Sequence, residues 1–421
     1  MTASGSTSVH EPKSRTVLMI SPVFPPARAP GSNRLINFTR TLPDHGWNCA
    51  VIAMSEKCFP LLDHDLLKRV HPATHVEYFR CGNPFEHLRT WATSGEGTSL
   101  RPLRSLARKV TTFVDLLSIC DLRRWSLRNL RRAVAQGMNS RDVDAVWITG
   151  PTFSFFRIVP WLKRRYHVPV VLDMRDPWTL TPLRYRHLAR FNGGIERKLE
   201  RHIFGMADRM ITNTPTAQRE YIKTYPELKG VFSDVITNGF SPDILESVAP
   251  ERFDRTTIVH AGNTSTDRSA ATIIRALGRL RERGVVDCDS FRFISYGPGH
   301  AGEHQAAQEA GVSDMVEFRG NRPHADVLAA IRGATALALI VAHGHHGSIP
   351  SKLFEYLGNA KPILFCGPLD CDAAEIVRQA GAGRTFEFDQ VAGIAECIQE
   401  LVEGRFVVAD TFANSDRRFT A

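Results

Sequence analysis

Residues 336–366, ALALIVAHGHHGSIPSKLFEYLGNAKPILFC, decide the fold class of this chain. An apolar run at 336–341 predicts a buried strand, and a loop rich in glycine and histidine follows it. A helix is predicted to begin near Pro350, and a second apolar strand follows from Pro362. Parallel strands need a crossover connection, usually a helix, and fully apolar strands lie in sheets covered on both faces. The stretch therefore predicts one unit of a parallel α/β sheet.

The same alternation extends along the rest of the chain, which predicts an α/β fold of two doubly wound parallel-sheet domains facing across a cleft. We expect residues 16–240 to form the N-terminal domain on the acceptor side, and residues 255–405 to form the C-terminal domain. Residues 241–254, polar and rich in proline, are the predicted linker. Residues 1–15 are expected to be disordered. Residues 406–421 are expected to form a C-terminal tail, and its return to the first domain is left open. The predicted strands are Val17–Ser21, Cys49–Met54, Ala145–Thr149, Val168–Asp173, Arg209–Thr212, Thr257–Ala261, Phe291–Tyr296, Met315–Arg319, Ala336–Val341, Pro362–Phe365 and Arg384–Phe388.

The charge of the chain is concentrated in one segment. The 421 residues include 53 Lys+Arg and 44 Asp+Glu, a net charge of +9, and nine basic residues against two acidic ones lie between Arg101 and Arg132. Leucine, valine and phenylalanine recur there at helical spacing, the pattern of a basic amphipathic helix that docks on an anionic membrane. A helix that packs these apolar residues onto the core and leaves its arginines in water fits equally well. On the first interpretation the membrane-docking residues are Arg104, Arg108, Lys109, Arg124 and Arg128.

Cysteine usage and hydropathy bear on the compartment. The eight cysteines include no CxxC pair and lie mostly in apolar segments, which is typical of reduced thiols in a cytoplasmic protein. The first fifteen residues lack the apolar region of a signal peptide, and the longest apolar run, 334–342, is too short to span a bilayer. We therefore expect a cytoplasmic protein, whose association with the inner face of the plasma membrane, if any, is peripheral.

Polar residues follow two predicted strands of the N-terminal half. Gly31 and Ser32 open a helix, where free N–H groups and the helix dipole can bind a phosphate, although a simple N-cap has the same pattern. Arg175, Asp176 and Trp178 follow the strand that ends at Asp173. Sites in parallel sheets form at such strand ends, but a turn with a structural ion pair is the alternative.

Three patterns in the C-terminal half concern ligands. The 297–302 loop matches G-x-G-x-x-G, but the acid expected about twenty residues later, Glu317, lies inside the next strand, which favours a turn or a nucleotide-facing loop over a dinucleotide fingerprint. Lys352 falls in the first turn of a helix, where a cation opposes the dipole unless an anion binds beside it. A simple amphipathic helix that buries Leu353, Phe354 and Leu357 is the alternative. The histidines of residues 343–346 have no nearby acid or cysteine, so no metal site is predicted.

Five segments, in this order, resemble the family-4 glycosyltransferases. They are SPVFPPARAPGSNR at 21–34, VVLDMRDPW at 170–178, ADRMITNTPTAQREYI at 207–222, VHAG at 259–262 and PSKLFEYLGNAKPI at 350–363. The resemblance covers about residues 16–405. It implies a GT-B fold and the retaining transfer of a sugar from a nucleotide-diphosphate sugar to a hydroxyl of a glycan, lipid-linked or small-molecule acceptor. It also implies a role in cell-surface polysaccharide or glycoconjugate synthesis, and no metal cofactor.

The resemblance also assigns site residues. Arg268 and Lys352 would meet the donor diphosphate, and Asp176 would touch acceptor or donor sugar; these three are the predicted catalytic residues. Glu355 matches the second Glu of the E-x7-E motif, which binds the ribose. Arg175 and Trp178 are placed on the acceptor side. The donor-binding set is Gly31, Ser32, Gly262, Gly297, Gly299, Ser348, Leu353 and Glu355.

The sequence departs from the family pattern at two positions. Gly347 stands where the first Glu of E-x7-E would contact the transferred sugar, so backbone N–H groups of residues 344–349, or His345 or His346, would have to replace it. Ile273 stands where a Lys often follows the basic residue. The departures leave the identity of the donor sugar open.

Two other function classes stay open on the sequence. A dinucleotide-dependent sugar-modifying enzyme would use the 297–302 loop. A nucleic-acid-binding protein would use the arginine-rich segment, but no known reading motif accompanies it, and we expect no nucleic-acid partner.

Overall fold

The structure, a computed structural model, describes residues 14–82, 88, 91–92, 101–117, 120–180, 193–344, 347–406 and 408. These residues form two compact units. The described residues up to Ile236, apart from Thr214–Thr216, make the N-terminal unit, and Thr214–Thr216 with the described residues from Thr237 onward make the C-terminal unit. Each unit is built on one parallel sheet with helices packed on both faces.

The N-terminal unit has a seven-stranded sheet in its described residues, with the strand order β3-β2-β1-β4-β5-β6-β7. Short 3-10 helices occur at Leu42–His45, Glu56–Cys58, His64–Arg69, Leu122–Ser126, Phe153–Ile158 and Pro226–Val231. The strands and α-helices are β1 (Arg15–Ser21), α1 (Pro30–Thr41), β2 (Trp47–Met54), β3 (His75–Phe79), α2 (Arg101–Leu117), α3 (Leu127–Ser140), β4 (Ala145–Gly150), α4 (Val159–Tyr166), β5 (Val170–Met174), α5 (Gly193–Phe204), β6 (Arg209–Thr212), α6 (Pro215–Thr224) and β7 (Phe232–Val235).

The C-terminal unit has a six-stranded sheet in its described part, ordered β10-β9-β8-β11-β12-β13. Its elements are α7 (Pro242–Glu246), β8 (Thr256–Ala261), α8 (Ala271–Glu282), β9 (Phe291–Tyr296), α9 (Ala301–Glu309), β10 (Val316–Phe318), α10 (His324–Gly333), β11 (Ala336–Ile340), α11 (Ser351–Gly358), β12 (Ile363–Cys366), α12 (Asp372–Gln379), β13 (Gly383–Phe386) and α13 (Val391–Val402).

Both sheets bury apolar side chains on both faces, which is the reason for their near-continuous apolar strands. Successive residues of β1 divide between two core clusters: Leu18 and Ile20 join one, and Val17 and Met19 join the other. The predicted pair of doubly wound parallel-sheet domains is confirmed, and so are the eleven predicted strands, with shifts at their ends.

The strands β3 and β7 were not predicted. They form the two edges of the first sheet, and their sequences, HVEYF and FSDV, are only partly buried. An edge strand pairs on one side alone, so it can keep polar residues and lacks the apolar run by which the inner strands are recognised.

The segment predicted as a linker packs on the C-terminal unit. Phe240, just before this segment, and Leu245 within it are both buried in a core cluster of that unit. A β-carbon on Gly358 would come within 2.6 Å of the Phe240 ring, so glycine is required where α11 meets this segment. A few buried apolar residues therefore attach this segment to the C-terminal unit, although its composition is polar.

In the part of the chain that the structure describes, no helix has the length and apolar character needed to cross a membrane.

Candidate active site

The C-terminal unit has a topological switch point between β8 and β11, which are neighbours in the sheet although the chain leaves them in opposite directions. The apolar residues of α8, which follows β8, cluster with those of α9 and α13, whereas α11, which follows β11, clusters with α10 and α12. The two helices thus lie on opposite faces of the sheet, and their preceding loops separate at the carboxyl ends of the strands. Ligands of open α/β sheets bind in the crevice formed at this point.

Lys352 enters this crevice from the first turn of α11 and lies against Gly262, the first residue after β8. A β-carbon on residue 262 would collide with Lys352 Nζ, and Gly262 has a φ of 146°, a conformation that favours glycine. Burial is the main cause that lowers the pKa of Lys352 to about 7; the charge of Arg268 adds to the effect, and Glu355 opposes it. An anion bound here would restore the charged form of the lysine.

A buried nitrogen atom of this region, Arg268 Nε, has no hydrogen-bond partner among the described residues. His260 Nδ1 lies 2.9 Å from the carbonyl oxygen of Ala338. Burial, and then the charge of Lys352, hold the pKa of His260 well below its usual value, which keeps the ring neutral. Buried polar atoms without partners are rare and mark positions where a ligand or water completes the bonding.

The 297–302 loop packs against the residue that follows β8. A β-carbon on Gly297 would lie 2.7 Å from the carbonyl oxygen of Gly262, and Gly299 has a φ of 65°. Glycine is therefore required by the close approach of two loops and by backbone conformation. Glu317, the acid nearest to the dinucleotide pattern, pairs with Arg319 at 2.9 Å. The geometry favours a loop-packing role for this motif over a dinucleotide fingerprint.

The other residues predicted for the donor differ in accessibility. Glu355 is half-buried, and its Oε1 lies 3.1 Å from Nε2 of His324, while Ser348 is exposed. Leu353 is fully buried in the core, and its N–H is donated to the carbonyl oxygen of Pro350 at 3.0 Å. The predicted donor contact at Leu353 is thereby corrected to a packing role, because neither its side chain nor its N–H is free.

The histidine-rich loop is described only in part. His345 and His346, the candidates from the sequence to replace the missing Glu, lie outside the described residues. In the described ranges, no three side chains of His, Cys, Asp or Glu converge in a way that could hold a metal ion.

The N-terminal unit has a buried ion pair at the carboxyl ends of its central strands. Arg34 of α1 donates Nε and Nη2 to Asp173 at 3.0 and 2.8 Å, and Thr149 donates its hydroxyl to the same carboxylate at 2.8 Å. The Arg34 and Asp173 side chains are 3% and 0% exposed. Because the pair is fully satisfied, it ties α1 to β4 and β5, and removing one partner would leave a buried charge. Arg34 was not predicted from the sequence as a functional residue.

The two residues predicted to form the first glycine loop have different surroundings. Ser32 is fully buried, and its hydroxyl donates to the carbonyl oxygen of Ala27 at 2.7 Å, so it closes the loop before α1. Its N–H is donated to the carbonyl oxygen of Ala29 at 2.9 Å, so the predicted phosphate contact of Ser32 is corrected to this local role. A β-carbon on Gly31 would collide with the guanidinium of Arg175, whose Nε donates to Gly150. Gly31 therefore makes room for Arg175.

Asp176 and Trp178 follow Arg175 but have opposite environments. Asp176 is exposed at the end of β5, where it remains available to a ligand. Trp178 is 0% exposed, stacks on Phe153 with ring centroids 5.4 Å apart, and donates its indole N–H to Glu196 at 3.3 Å. The acceptor contact predicted for Trp178 is corrected to a core role, because its side chain has no accessible surface.

The basic segment forms α2, and its apolar stripe faces solvent. Leu106 and Phe113 are 58% and 60% exposed, whereas Ala107 and Thr111 are buried. Among the predicted docking residues, Arg108 and Lys109 are exposed, and Arg104 lies over the Trp91 ring at 5.7 Å. The interpretation in which α2 packs its apolar residues onto the core does not fit these exposures. The exposed stripe consists of Leu103, Leu106, Val110 and Phe113.

Two family descriptions match the chain, one in each unit. Residues 37–227 match the family described as Glycosyl transferase 4-like domain. Residues 255–404 match the family described as Glycosyl transferases group 1. Together the two matches span most of the chain. No curated protein sequence matches it.

Solved structures with similar folds cover nearly the whole chain. A sucrose-phosphate synthase from Thermosynechococcus elongatus has a TM-score of 0.59 at 12% identity, over 96% of this chain and 95% of that one. A lipopolysaccharide outer core galactosyltransferase, in its apo form, has a TM-score of 0.55 at 13% identity, with coverages of 96% and 95%. A structure described as a UDP-N-acetylglucosamine 2-epimerase from Listeria monocytogenes has a TM-score of 0.54 at 11% identity, with coverages of 96% and 92%.

At such identities the likeness shows the fold alone, and this fold is shared by transferases and an epimerase. The family matches in both units identify the chain as a transferase and not as an epimerase. The chain belongs to the glycosyltransferases of the GT-B fold, of the family-4 type.

Proposed function

We propose that this glycosyltransferase uses a nucleotide-diphosphate sugar, retains the anomeric configuration, and glycosylates a hydroxyl of a glycan or lipid-linked acceptor in cell-surface polysaccharide or glycoconjugate synthesis. The observation that supports the donor most strongly is the position of Lys352 Nζ against Gly262 at the switch point of the sheet. The buried and unpartnered Nε of Arg268 supports it further.

A diphosphate is the ligand that best complements this crevice. Arg268 is close enough to disfavour the charge of Lys352, and Glu355 is the acid that opposes this effect. A diphosphate supplies acceptor oxygens for both cations and for the N–H groups at the start of α11. Glu355 would then bind the ribose hydroxyls. One of its carboxylate oxygens contacts Nε2 of His324 in the structure.

These cations also fit the chemistry of transfer. As the bond between the anomeric carbon and the phosphate oxygen breaks, negative charge grows on the leaving diphosphate, where Arg268 and Lys352 stabilise it without a metal. The acceptor oxygen forms the new bond on the same face of the sugar, and its proton passes to the leaving phosphate oxygen. Asp176, exposed at the end of β5, is the proposed contact for sugar hydroxyls.

The exposed stripe supports an acceptor at an anionic membrane surface. Its four large apolar side chains lie on the same helix as Arg108 and Lys109, a combination that buries apolar area in the lipid interface and attracts anionic headgroups. Beyond the end of α2, Arg124 adds a further basic side chain and Trp125 a further apolar one, which is 52% exposed. A lipid-linked acceptor would be presented at such a surface.

A thermal-shift series with UDP, GDP, ADP and NAD tests the donor class. A nucleoside diphosphate should raise Tm, because a ligand at about 100 times its Kd stabilises the folded protein by about 2.7 kcal/mol. The matching nucleotide sugars are then screened with glycan and lipid-linked acceptors, and NMR of the product reports the anomeric configuration. Stabilisation by NAD alone, or an inverted product, would contradict the proposal.

A further inference from the structure

The loop between β8 and α8 presents Arg268, yet the guanidinium makes no hydrogen bond to the described residues, and its Nε is buried. Two main-chain bonds between Ser265 and Arg268, each 3.0 Å long, close the tip of this loop. They do not attach the loop to the rest of the unit. The position of the guanidinium therefore depends on the groups that anchor the loop backbone.

Glu303, in the first turn of α9, is such an anchor, and its side chain is fully buried. Its Oε1 accepts the N–H of Ala270 at 2.6 Å, and its Oε2 accepts the hydroxyl of Thr264 at 2.7 Å. These two donors flank Arg268 on either side of the loop. Oε2 also accepts the N–H of His300 at 3.1 Å, which fixes the carboxylate to the start of α9.

A second connection runs through Ser269, the residue after Arg268. His300 Nδ1 accepts the N–H of Gly302 at 3.1 Å, so we assign the ring proton to Nε2, which donates to the Ser269 hydroxyl at 3.0 Å. The Ser269 hydroxyl lies 3.4 Å from Oε1 of Glu303 and can direct its own proton to the carboxylate. The loop is thus joined to α9 by side chains on both elements.

We propose that Glu303 is a positioning residue of the transferase, which sets the place of Arg268 at the donor diphosphate by holding both ends of its loop. The inference rests on the proposed donor site, because the position of Arg268 matters for activity only if a diphosphate binds there. Glu303 acts through the loop and not by contact with the substrate.

The carboxylate is required by its hydrogen-bond pattern. Each of its two oxygens accepts a backbone N–H, from Ala270 at one and from His300 at the other. A glutamine has nearly the same shape, but its amide group must face one of these N–H donors in either orientation. Glu303→Gln therefore loses one buried hydrogen bond to a charged group and leaves a buried N–H unpaired.

The experiment measures binding of inorganic pyrophosphate by the full chain, using calorimetry. The variants are Glu303→Gln, Arg268→Ala and the double variant, with Glu309→Gln as the control, since Glu309 is an exposed acid on the same helix. Circular dichroism establishes that each variant is folded at the assay temperature. If Glu303→Gln does not fold, Ser269→Ala is used in its place, both alone and combined with Arg268→Ala. This change removes only one donor to the carboxylate.

We expect Glu303→Gln to bind pyrophosphate about tenfold more weakly than the wild type. The double variant should bind no more weakly than Arg268→Ala alone, because Glu303 acts through Arg268. Additive losses, or wild-type affinity in Glu303→Gln while Arg268→Ala binds weakly, would overturn the positioning role. Wild-type affinity in Arg268→Ala would instead overturn the proposed donor site, and the inference with it.

Discussion

Lys352 Nζ occupies the space that a β-carbon on Gly262 would fill, and it thereby joins the start of α11 to the end of β8 at the switch point of the sheet. The relationship explains two features at once. Residue 262 has to be glycine, and the lysine is packed so closely that its charged form is disfavoured unless an anion is bound.

Gly262→Ala should displace Lys352 and weaken nucleoside diphosphate binding. The new methyl group collides with the ammonium group, and the φ of 146° strains a residue with a β-carbon. We expect a loss of about 1 kcal/mol or more in the free energy of unfolding and a fall of about tenfold in affinity. Urea unfolding and calorimetry measure the two effects.

Gly284→Ala is the control: residue 284 also has a positive φ, but its β-carbon would meet nothing. Equal affinity losses in both variants would mean that strain, and not Lys352, is responsible.

The pKa of Lys352 predicts how stability changes with pH. Between pH values of about 7 and 10.5, the folded protein binds fewer protons at Lys352 than the unfolded protein does. The contribution of Lys352 to the free energy of unfolding therefore rises with pH across this window and falls as pH decreases through it.

Lys352→Met removes this contribution, so its unfolding free energy should gain less between neutral and alkaline pH than that of the wild type. Lys223→Met, at an exposed lysine of α6, is the control and should behave as the wild type does. Identical pH slopes in the wild type and Lys352→Met would show that Lys352 is charged in the free protein.

Diphosphate binding should also take up a proton. At about pH 8, Lys352 is mostly neutral in the free protein, and a bound diphosphate restores its charge, so uptake approaches about one proton for each ligand bound. Calorimetry in two buffers with different ionisation enthalpies measures the uptake, and the difference between the wild type and Lys352→Met isolates the lysine. No difference between the two proteins would remove Lys352 from the diphosphate contacts.

The exposed stripe predicts binding to anionic vesicles. Leu106→Ser with Phe113→Ser should weaken flotation with anionic liposomes about tenfold or more, because each change removes a large side chain from the lipid interface. Ile195→Ser is the matched control, because Ile195 is 54% exposed on α5 of the same unit. Binding of the wild type should fall with added salt. A wild type that fails to float at low salt would exclude the membrane surface.

Much of the fold and part of the site follow from the sequence. Inner parallel strands have apolar runs that are visible in one sequence, and polar residues after them, such as Asp176, mark the strand ends where sites form. The half-buried edge strands β3 and β7 have no such signal. Side-chain direction was not predictable at Ser32 and Trp178, which lie beside site residues in the chain, yet both are buried.

Partners that are distant in sequence escape such reasoning for the same physical reason. The bonds of Glu303 to Thr264 and Ala270 span more than thirty residues, and the Arg34–Asp173 pair spans 139. No fixed spacing in the sequence predicts either pairing. A faint signal existed for Glu303, since an acid at the third position of a helix is typical of a capping box.

The affinity of the Arg268→Ala variant for a nucleoside diphosphate tests the central claim most directly. The nucleotide that stabilises the wild type best is titrated into the wild type, Arg268→Ala and Arg279→Ala, the last being an exposed arginine on α8. We predict that Arg268→Ala binds about tenfold more weakly or worse, while Arg279→Ala keeps the wild-type affinity and both variants stay folded. Equal affinities in all three proteins would contradict a donor site at the switch point of the C-terminal sheet.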